Sequence, residues 1–104
     1  MRYEIIFAPD ADQALRKIRA YDRVAVLEAI ERHLRHEPTR ASKSRVRVLR
    51  DMRHPRYRLR IGDLRVFYDV GPGQAEIVAV VSRAEAAEWL ARWGIRIEQE
   101  GGSS

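Results

Sequence analysis

The sequence predicts an α+β domain: an N-terminal strand, a helical hairpin, a small and mostly antiparallel sheet of about four strands, and a C-terminal helix. Three patterns carry this prediction. Apolar residues recur every three or four positions over 24–34, alternate with polar residues over 45–70, and run uninterrupted over 77–81. The chain has 104 residues, 45% of them hydrophobic and 34% charged, which is enough for one modest core. We predict a single domain over 1–94 and a partly disordered tail over 95–104.

The first third of the chain predicts a strand followed by two helices. Residues 3–8 form the strand, and Asp10 followed three residues later by Gln13 resembles a capping box that opens the first helix. Asp22 is the predicted cap of a longer second helix, which Pro38 ends. The apolar stripe expected to face the core consists of Val24, Leu27, Ile30 and Leu34. The short link between the helices predicts an antiparallel hairpin across one side of the sheet.

The remainder predicts the sheet and the last helix. Strands are expected at 45–48, 57–61, 64–70 and 76–82. The last of these is a central strand, because its continuous apolar run covers both faces. Ser82 and Glu85 then form an S-x-x-E box that opens a helix. That helix carries Ala86, Leu90 and Trp93 on one face and ends at Gly94.

Several classes of site are disfavoured by composition. No cysteine occurs, which excludes a disulfide framework, a thiolate metal site and a cysteine nucleophile. The longest apolar run is too short to span a bilayer, and the N-terminus lacks the apolar centre of a signal peptide. His33 and His36 share a helix face without a paired carboxylate, so they do not make a metal set. We expect a cytoplasmic protein with no metal, no cofactor and no membrane partner.

The net charge of +5 is concentrated in the middle of the chain. Residues 40–65 hold ten basic and two acidic side chains, whereas 1–39 are balanced at seven each and 66–104 are acidic, with three basic and six acidic side chains. A dense block of one sign in a small domain favours a polyanionic partner. Nucleic acid is the first expectation and an acidic protein segment the second.

The most informative segment is the predicted hairpin of residues 57–70. A two-residue turn at Gly62-Asp63 places Arg58, Arg60, Arg65 and Phe67 on one face and the apolar side chains on the other. Like charges opposed across strands cost stability, so folding alone gives no reason to pair Arg60 with Arg65. A bound phosphate would give such a reason, because guanidinium groups bind phosphate oxygens bidentately. Phe67 would then offer a surface for base stacking. The alternative left open is that these arginines reach into solvent or pair with the protein's own carboxylates.

The hairpin Y-R-L-R-I-G-D-L-R-V-F-Y over 57–68 resembles the RelE/ParE superfamily of bacterial toxins from type II toxin-antitoxin modules. The similarity extends over about residues 2–93. Members of the superfamily include ribosome-dependent messenger-RNA endonucleases and DNA gyrase inhibitors. The resemblance therefore implies a cognate antitoxin with an acidic or amphipathic segment. It also implies a target, which is either the ribosome with its messenger RNA or DNA gyrase.

The resemblance also implies roles for individual residues. The catalytic arginines of the nucleases fall on Arg58, Arg60, Arg65 and Arg83. The family's tyrosine falls on Trp89, which removes the most obvious proton acceptor and leaves Glu85, Glu88 or a ribosomal group as candidates for proton transfer. The residues expected to bind RNA around this set are Arg45, Arg47, Arg56 and Phe67.

Three functions follow, in order of expectation. The first is ribosome-dependent cleavage of messenger RNA, in which the ribose 2′-OH attacks the scissile phosphate and the arginine cluster stabilises the developing charge. The second is gyrase inhibition, or another non-enzymatic toxicity, on the same fold. The third is nucleic-acid binding without toxicity.

Overall fold

The computed structural model describes residues 1–97 and contains a five-stranded mixed sheet. The strands are β1 (Glu4–Phe7), β2 (Val46–Val48), β4 (Tyr57–Ile61), β5 (Leu64–Gly71) and β6 (Gln74–Ser82), in the order β1-β6-β5-β4-β2. β1 runs parallel to β6, and the other neighbours are antiparallel. Two short strands, β3 (Met52–His54) and β7 (Ile95–Arg96), form a separate antiparallel pair. The helices are α1 (Pro9–Lys17), α2 (Ala20–Leu34) and α3 (Ala86–Trp93). The α+β fold class is confirmed.

The helical hairpin α1–α2 covers one face of the sheet and closes the core. The buried cluster consists of Ala11, Leu15, Val26, Ile30, Leu34, Val46, Leu59, Val66, Tyr68, Ile77 and Val80. The predicted α2 stripe is half wrong, because Val24 and Leu27 are 54% and 40% exposed while Val26 lies in the core. Ile30 lies three positions after Leu27 and four after Val26. Helical periodicity therefore fits a buried stripe through either residue and cannot choose between them.

The predicted caps of the first two helices are also wrong. α1 begins at Pro9 after Ala8, and no side chain caps it. A proline fits this first position, because its missing N–H would have no partner there. α2 begins two residues before Asp22, which instead pairs with Arg19 at 3.4 Å. Among residues 1–97, no helix is long and apolar enough to cross a membrane.

The junction between α1 and α2 is closed by the guanidinium of Arg23. Its Nε donates to the Leu15 carbonyl at 2.9 Å, and its Nη2 donates to the carbonyls of Arg16 and Ile18 at 2.9 and 3.1 Å. The last carbonyls of a helix have no partner inside the helix. Arg23 therefore supplies, from α2, donors for carbonyls at the end of α1 that the Ile18 N–H, bonded to the Ala14 carbonyl, does not reach.

Replacing Arg23 by alanine is expected to lower the free energy of unfolding by about 1–3 kcal/mol, because hydrogen bonds from a charged donor to part-buried carbonyls are lost. Urea unfolding followed by circular dichroism measures this change. Arg16→Ala is the control, because the Arg16 side chain is 77% exposed and its change should stay within about 0.5 kcal/mol. Equal effects of the two substitutions would show that the Arg23 hydrogen bonds contribute nothing.

Gly94 connects α3 to β7 through a close approach. Its N–H donates to the Leu90 carbonyl at 2.9 Å, and a Cβ at this position would lie 2.6 Å from that oxygen and press on Met52. Only glycine fits here without a shift of the backbone. The tail is predicted to begin directly after Gly94, but strand β7 shows that regular structure continues past this residue. The rest of that predicted tail, 98–104, lies outside the described residues.

Candidate functional site

The β4–β5 hairpin has the predicted register. Arg60 faces Arg65 and Arg58 faces Phe67 across the two strands, and Gly62 opens the turn with a φ of +55°. A positive φ at the first turn position is readily adopted by glycine. The alternation then puts the arginines on the face opposite the helical hairpin.

Strand β2 adds to this arginine face. Arg47 lies directly opposite Arg58, and the Arg60 N–H donates to the Arg45 carbonyl at 2.8 Å. Together the strands form an open cleft of about 450 Å³, which we call the arginine cleft. Its cationic lining consists of Lys43, Arg47, Arg50, Arg58, Arg60 and Arg65. Sequence reasoning missed Lys43 and Arg50; both lie in the basic block, but nothing in the sequence shows how the loops beside β2 turn toward the sheet.

Arg58 of the arginine cleft has a buried donor atom without a partner in the described part of the chain. Its Nε is buried and has no hydrogen-bond partner among residues 1–97. Burial, followed by the charges of Arg47, Arg65 and Arg60, lowers the pKa of the Arg58 guanidinium below its ordinary value. The group stays protonated at neutral pH, because arginine starts from a very high pKa. A buried donor without an acceptor is costly, and an anion in the cleft would offset the positive charge crowded around Arg58.

Arg65 is part of the cleft and also a brace of the turn. It is 8% exposed, and its Nη1 donates to the carbonyls of Gly62 and Leu64 at 2.9 and 3.0 Å. Burial, Arg60 and Arg83 lower the pKa of the Arg65 guanidinium, and Asp63 opposes them. Substitution of Arg65 therefore changes the turn as well as the charge.

Arg83 is held beside the hairpin turn by its backbone. It begins a short 3-10 turn, Arg83–Glu85, and its N–H donates to the Asp63 carbonyl at 2.7 Å. The predicted capping box is confirmed: the Ser82 hydroxyl accepts from the Glu85 N–H at 3.2 Å, and the Glu85 carboxylate accepts from the Ser82 N–H at 3.3 Å. Glu85 is thus committed to the cap, whereas Glu88 on α3 is exposed.

The expectation that Phe67 stacks on a base is wrong, because Phe67 is only 1% exposed. Trp89 of α3 covers it, with ring centroids 5.2 Å apart and planes inclined by 15°. The hairpin pattern alone could not show that a helix lies on the arginine face. Trp89 therefore anchors α3 to the sheet.

Two other predicted RNA-binding residues lie outside the arginine cleft. Arg45 donates from Nη1 to the Arg60 carbonyl at 3.4 Å and lines a different cleft. Arg56 is exposed, and its N–H donates to Asp69 Oδ1 at 2.7 Å. The other oxygen of Asp69 contacts Nδ1 of His54, a pair that sequence reasoning missed because its members are fifteen positions apart. Residues 1–97 contain no group of three or more His, Asp or Glu side chains that could hold a metal.

The crowding of positive charges in the arginine cleft should lower the free energy of unfolding by a measurable amount. Arg60→Gln removes one of two directly opposed cations, so the free energy of unfolding should rise by about 0.2–1 kcal/mol. The difference from wild type should shrink at high salt, which screens the repulsion. Chemical denaturation at low and high salt tests both, with Arg19→Gln, whose side chain is 83% exposed, as the control. A destabilised Arg60→Gln protein would mean that the repulsion is already relieved.

The protein has an α+β fold, and its β4–β5 hairpin contributes several arginines to one open cleft. These features are typical of a small basic protein that binds a polyanion. Residues 5–87 match the family described as "ParE toxin of type II toxin-antitoxin system, parDE". The chain belongs to this family of toxins, within the RelE/ParE superfamily.

Solved structures show the same fold. The chain is similar to one in the RelB–RelE antitoxin–toxin complex from Methanococcus jannaschii, with a TM-score of 0.63, 18% identity, and coverage of 81% of this chain and 96% of that chain. It is also similar to one in the archaeal RelE–RelB complex from Pyrococcus horikoshii OT3, with a TM-score of 0.58, 22% identity, and coverage of 80% and 97%. No curated protein matches the sequence significantly.

Proposed function

We propose that this toxin stops translation in the cytosol by cleaving messenger RNA on the ribosome. The observation that carries the proposal is the arginine cleft, in which the buried Nε of Arg58 has no acceptor among residues 1–97. Arg60, Arg65 and the nearby Arg83 surround the same region with positive charge. A phosphodiester supplies the acceptor oxygens and the negative charge that such a cleft would stabilise.

The chemistry assigned to the cleft is attack by the ribose 2′-OH on the adjacent phosphorus. The bond from O2′ to phosphorus forms and the bond from phosphorus to O5′ breaks, leaving a 2′,3′-cyclic phosphate and a 5′-hydroxyl. The arginines stabilise the charge that develops on the phosphoryl oxygens. They cannot accept the proton of the 2′-OH, because they remain protonated at neutral pH.

Proton transfer is assigned to Glu88, because Glu85 is committed to its capping box and Trp89 has no acidic or basic group. The proton of the 2′-OH passes to the Glu88 carboxylate, and a proton from solvent completes the leaving 5′-hydroxyl. The ribosome supplies the bent substrate in this scheme, so the isolated protein should be a poor nuclease. Glu88→Gln should slow cleavage on the ribosome without changing RNA binding.

A cognate antitoxin is the proposed regulatory partner. The two similar structures described above are toxin–antitoxin complexes. An acidic segment would complement the arginine cleft, and an amphipathic one would cover the exposed apolar side chains on α2. Those side chains are Tyr21, Val24 and Leu27, which are 82%, 54% and 40% exposed.

Gyrase inhibition is the second candidate. It is favoured by Trp89 at the position of the family's tyrosine, and by the match to the ParE toxin description. In this case the arginine cleft would bind DNA phosphates or acidic side chains of gyrase, with no bond broken by the toxin.

One experiment with purified protein separates the two candidates. Toxin is added to a translating ribosome with a defined message, whose 5′ ends are mapped by primer extension, and in parallel to a gyrase supercoiling assay. The proposal requires new message ends that depend on ribosomes, with supercoiling unaffected. Inhibited supercoiling with an intact message would replace the proposal by the second candidate.

A further inference from the structure

A second basic cleft, of about 420 Å³, lies between the end of α2 and the start of β2. Its lining includes the charged side chains Arg32, Glu37, Arg40 and Arg45, together with His33 and His36. We call it the edge cleft, because β2 is the last strand of the sheet. Neither the proposed cleavage step nor the carried-over catalytic residues use it.

The edge cleft adjoins the arginine cleft. Ser42 and Val46 line both, so the two clefts lie on either side of β2 and the loop before it. β2 pairs with β4 on one side and has no strand on the other. A flexible chain could therefore pass from one face of the sheet to the α2 side around this edge.

The edge cleft carries excess positive charge. Its acidic lining residue, Glu37, is paired with Arg40 at 3.3 Å. Arg32 makes no ion pair among residues 1–97, and the guanidinium of Arg45 donates there only to the Arg60 carbonyl. Burial, then Arg45 and Arg32, lowers the pKa of His33, which agrees with cations being close to one another here.

From this arrangement we infer that the edge cleft binds phosphates of the same single RNA strand that occupies the arginine cleft, after the strand passes around β2. The inference rests on the proposed function only in taking RNA as the occupant of the arginine cleft. Proteins that bind single-stranded nucleic acid typically have a positively charged groove that follows the sugar-phosphate backbone. A peptide would need apolar anchor pockets, and Val46 is the single large apolar side chain lining the edge cleft.

The test is binding of fluorescent oligouridylates by full-length toxin without ribosomes, using lengths of about three and about nine nucleotides. The variant is Arg32→Gln with Arg40→Gln. The control is Arg16→Gln with Arg19→Gln, which removes two exposed cations from α1 and its link, whose side chains are 77% and 83% exposed. Both proteins lose the same net charge, but from different parts of the surface.

The longer RNA should bind more tightly than the shorter one to wild type, and only the edge-cleft variant should lose that advantage. Each phosphate contact on a single strand adds about 0.7 to the logarithmic salt slope, so loss of one or two contacts at about 0.1 M salt lowers affinity about 5- to 25-fold. The salt slope should become shallower by about 0.7 to 1.4 for the longer RNA and stay unchanged for the shorter one.

Three results would overturn the inference. The first is equal binding of the two lengths by wild type, and the second is equal weakening by variant and control. The third is a variant that binds free RNA normally but loses affinity for ribosomes or for polyglutamate. Loss of ribosome binding would show that the edge cleft binds ribosomal RNA, and loss of polyglutamate binding that it binds an acidic protein segment. Binding as expected without message cleavage on ribosomes would refute the proposed nuclease activity and leave the inference standing.

Discussion

Arg58→Gln is expected to abolish growth arrest on expression in cells while leaving the protein folded. The substitution removes a half-buried cation whose buried Nε has no partner among residues 1–97, so the loss falls on phosphate binding rather than on the fold. Removing one preorganised donor to a developing oxyanion typically costs about 10²- to 10³-fold in rate. Message cleavage by ribosomes in vitro, measured as single-turnover rates, should fall by that factor.

Arg16→Gln is the matched control, because it also removes one positive charge but from a side chain that is 77% exposed on α1. It should arrest growth like wild type. The thermal midpoint of Arg58→Gln should equal or exceed that of wild type, because Arg47, Arg60 and Arg65 then have one cation fewer nearby. Undiminished arrest by a folded Arg58→Gln protein would remove the arginine cleft from the proposed mechanism.

Phe67→Ala is expected to lower the free energy of unfolding by about 3–5 kcal/mol, the usual cost of truncating a buried phenylalanine. Phe67 is 1% exposed and stacks on Trp89, so its loss opens a cavity between the sheet and α3. Equilibrium unfolding in urea measures the change. In a domain of this size the truncated protein should be close to unfolding at growth temperature.

Phe67→Leu separates this structural role from a role in RNA binding. Leucine keeps most of the buried volume but cannot stack on a base, so the variant should fold with a smaller loss of stability and remain toxic. A folded Phe67→Leu protein with wild-type stability but strongly weakened RNA binding would restore the stacking role.

The hairpin was predictable from the sequence because its signals are local. A glycine at the first turn position fixes the register, and strict alternation then assigns each side chain to a face. The Ser82–Glu85 box was likewise predictable, because its two partners lie one helical turn apart. These local rules are sufficient to place Arg58, Arg60 and Arg65 on one face.

The errors concern contacts between segments distant in the chain. Phe67 was expected to be exposed because the hairpin does not reveal that Trp89 will cover it, twenty-two positions later. The outward exposure of Val24 and Leu27 depends on how α2 rotates against the sheet, and its apolar residues permit two rotations. Arg45 lies in a different cleft from Arg47, and its guanidinium donates to the Arg60 carbonyl, a contact fifteen positions apart that no local pattern indicates.

The hydrogen bond from the Arg83 N–H to the Asp63 carbonyl has a consequence for how this protein could diversify. The spacing between the hairpin and the start of the last helix is set by main-chain atoms, so side chains at 63 and 83 can change through mutation without loosening that spacing. Added residues in the distal β5–β6 turn, at the opposite end of both strands, should leave the alignment intact. A single added residue between β6 and Arg83 would break it, so length variation among descendants of this toxin should be confined to the far turn.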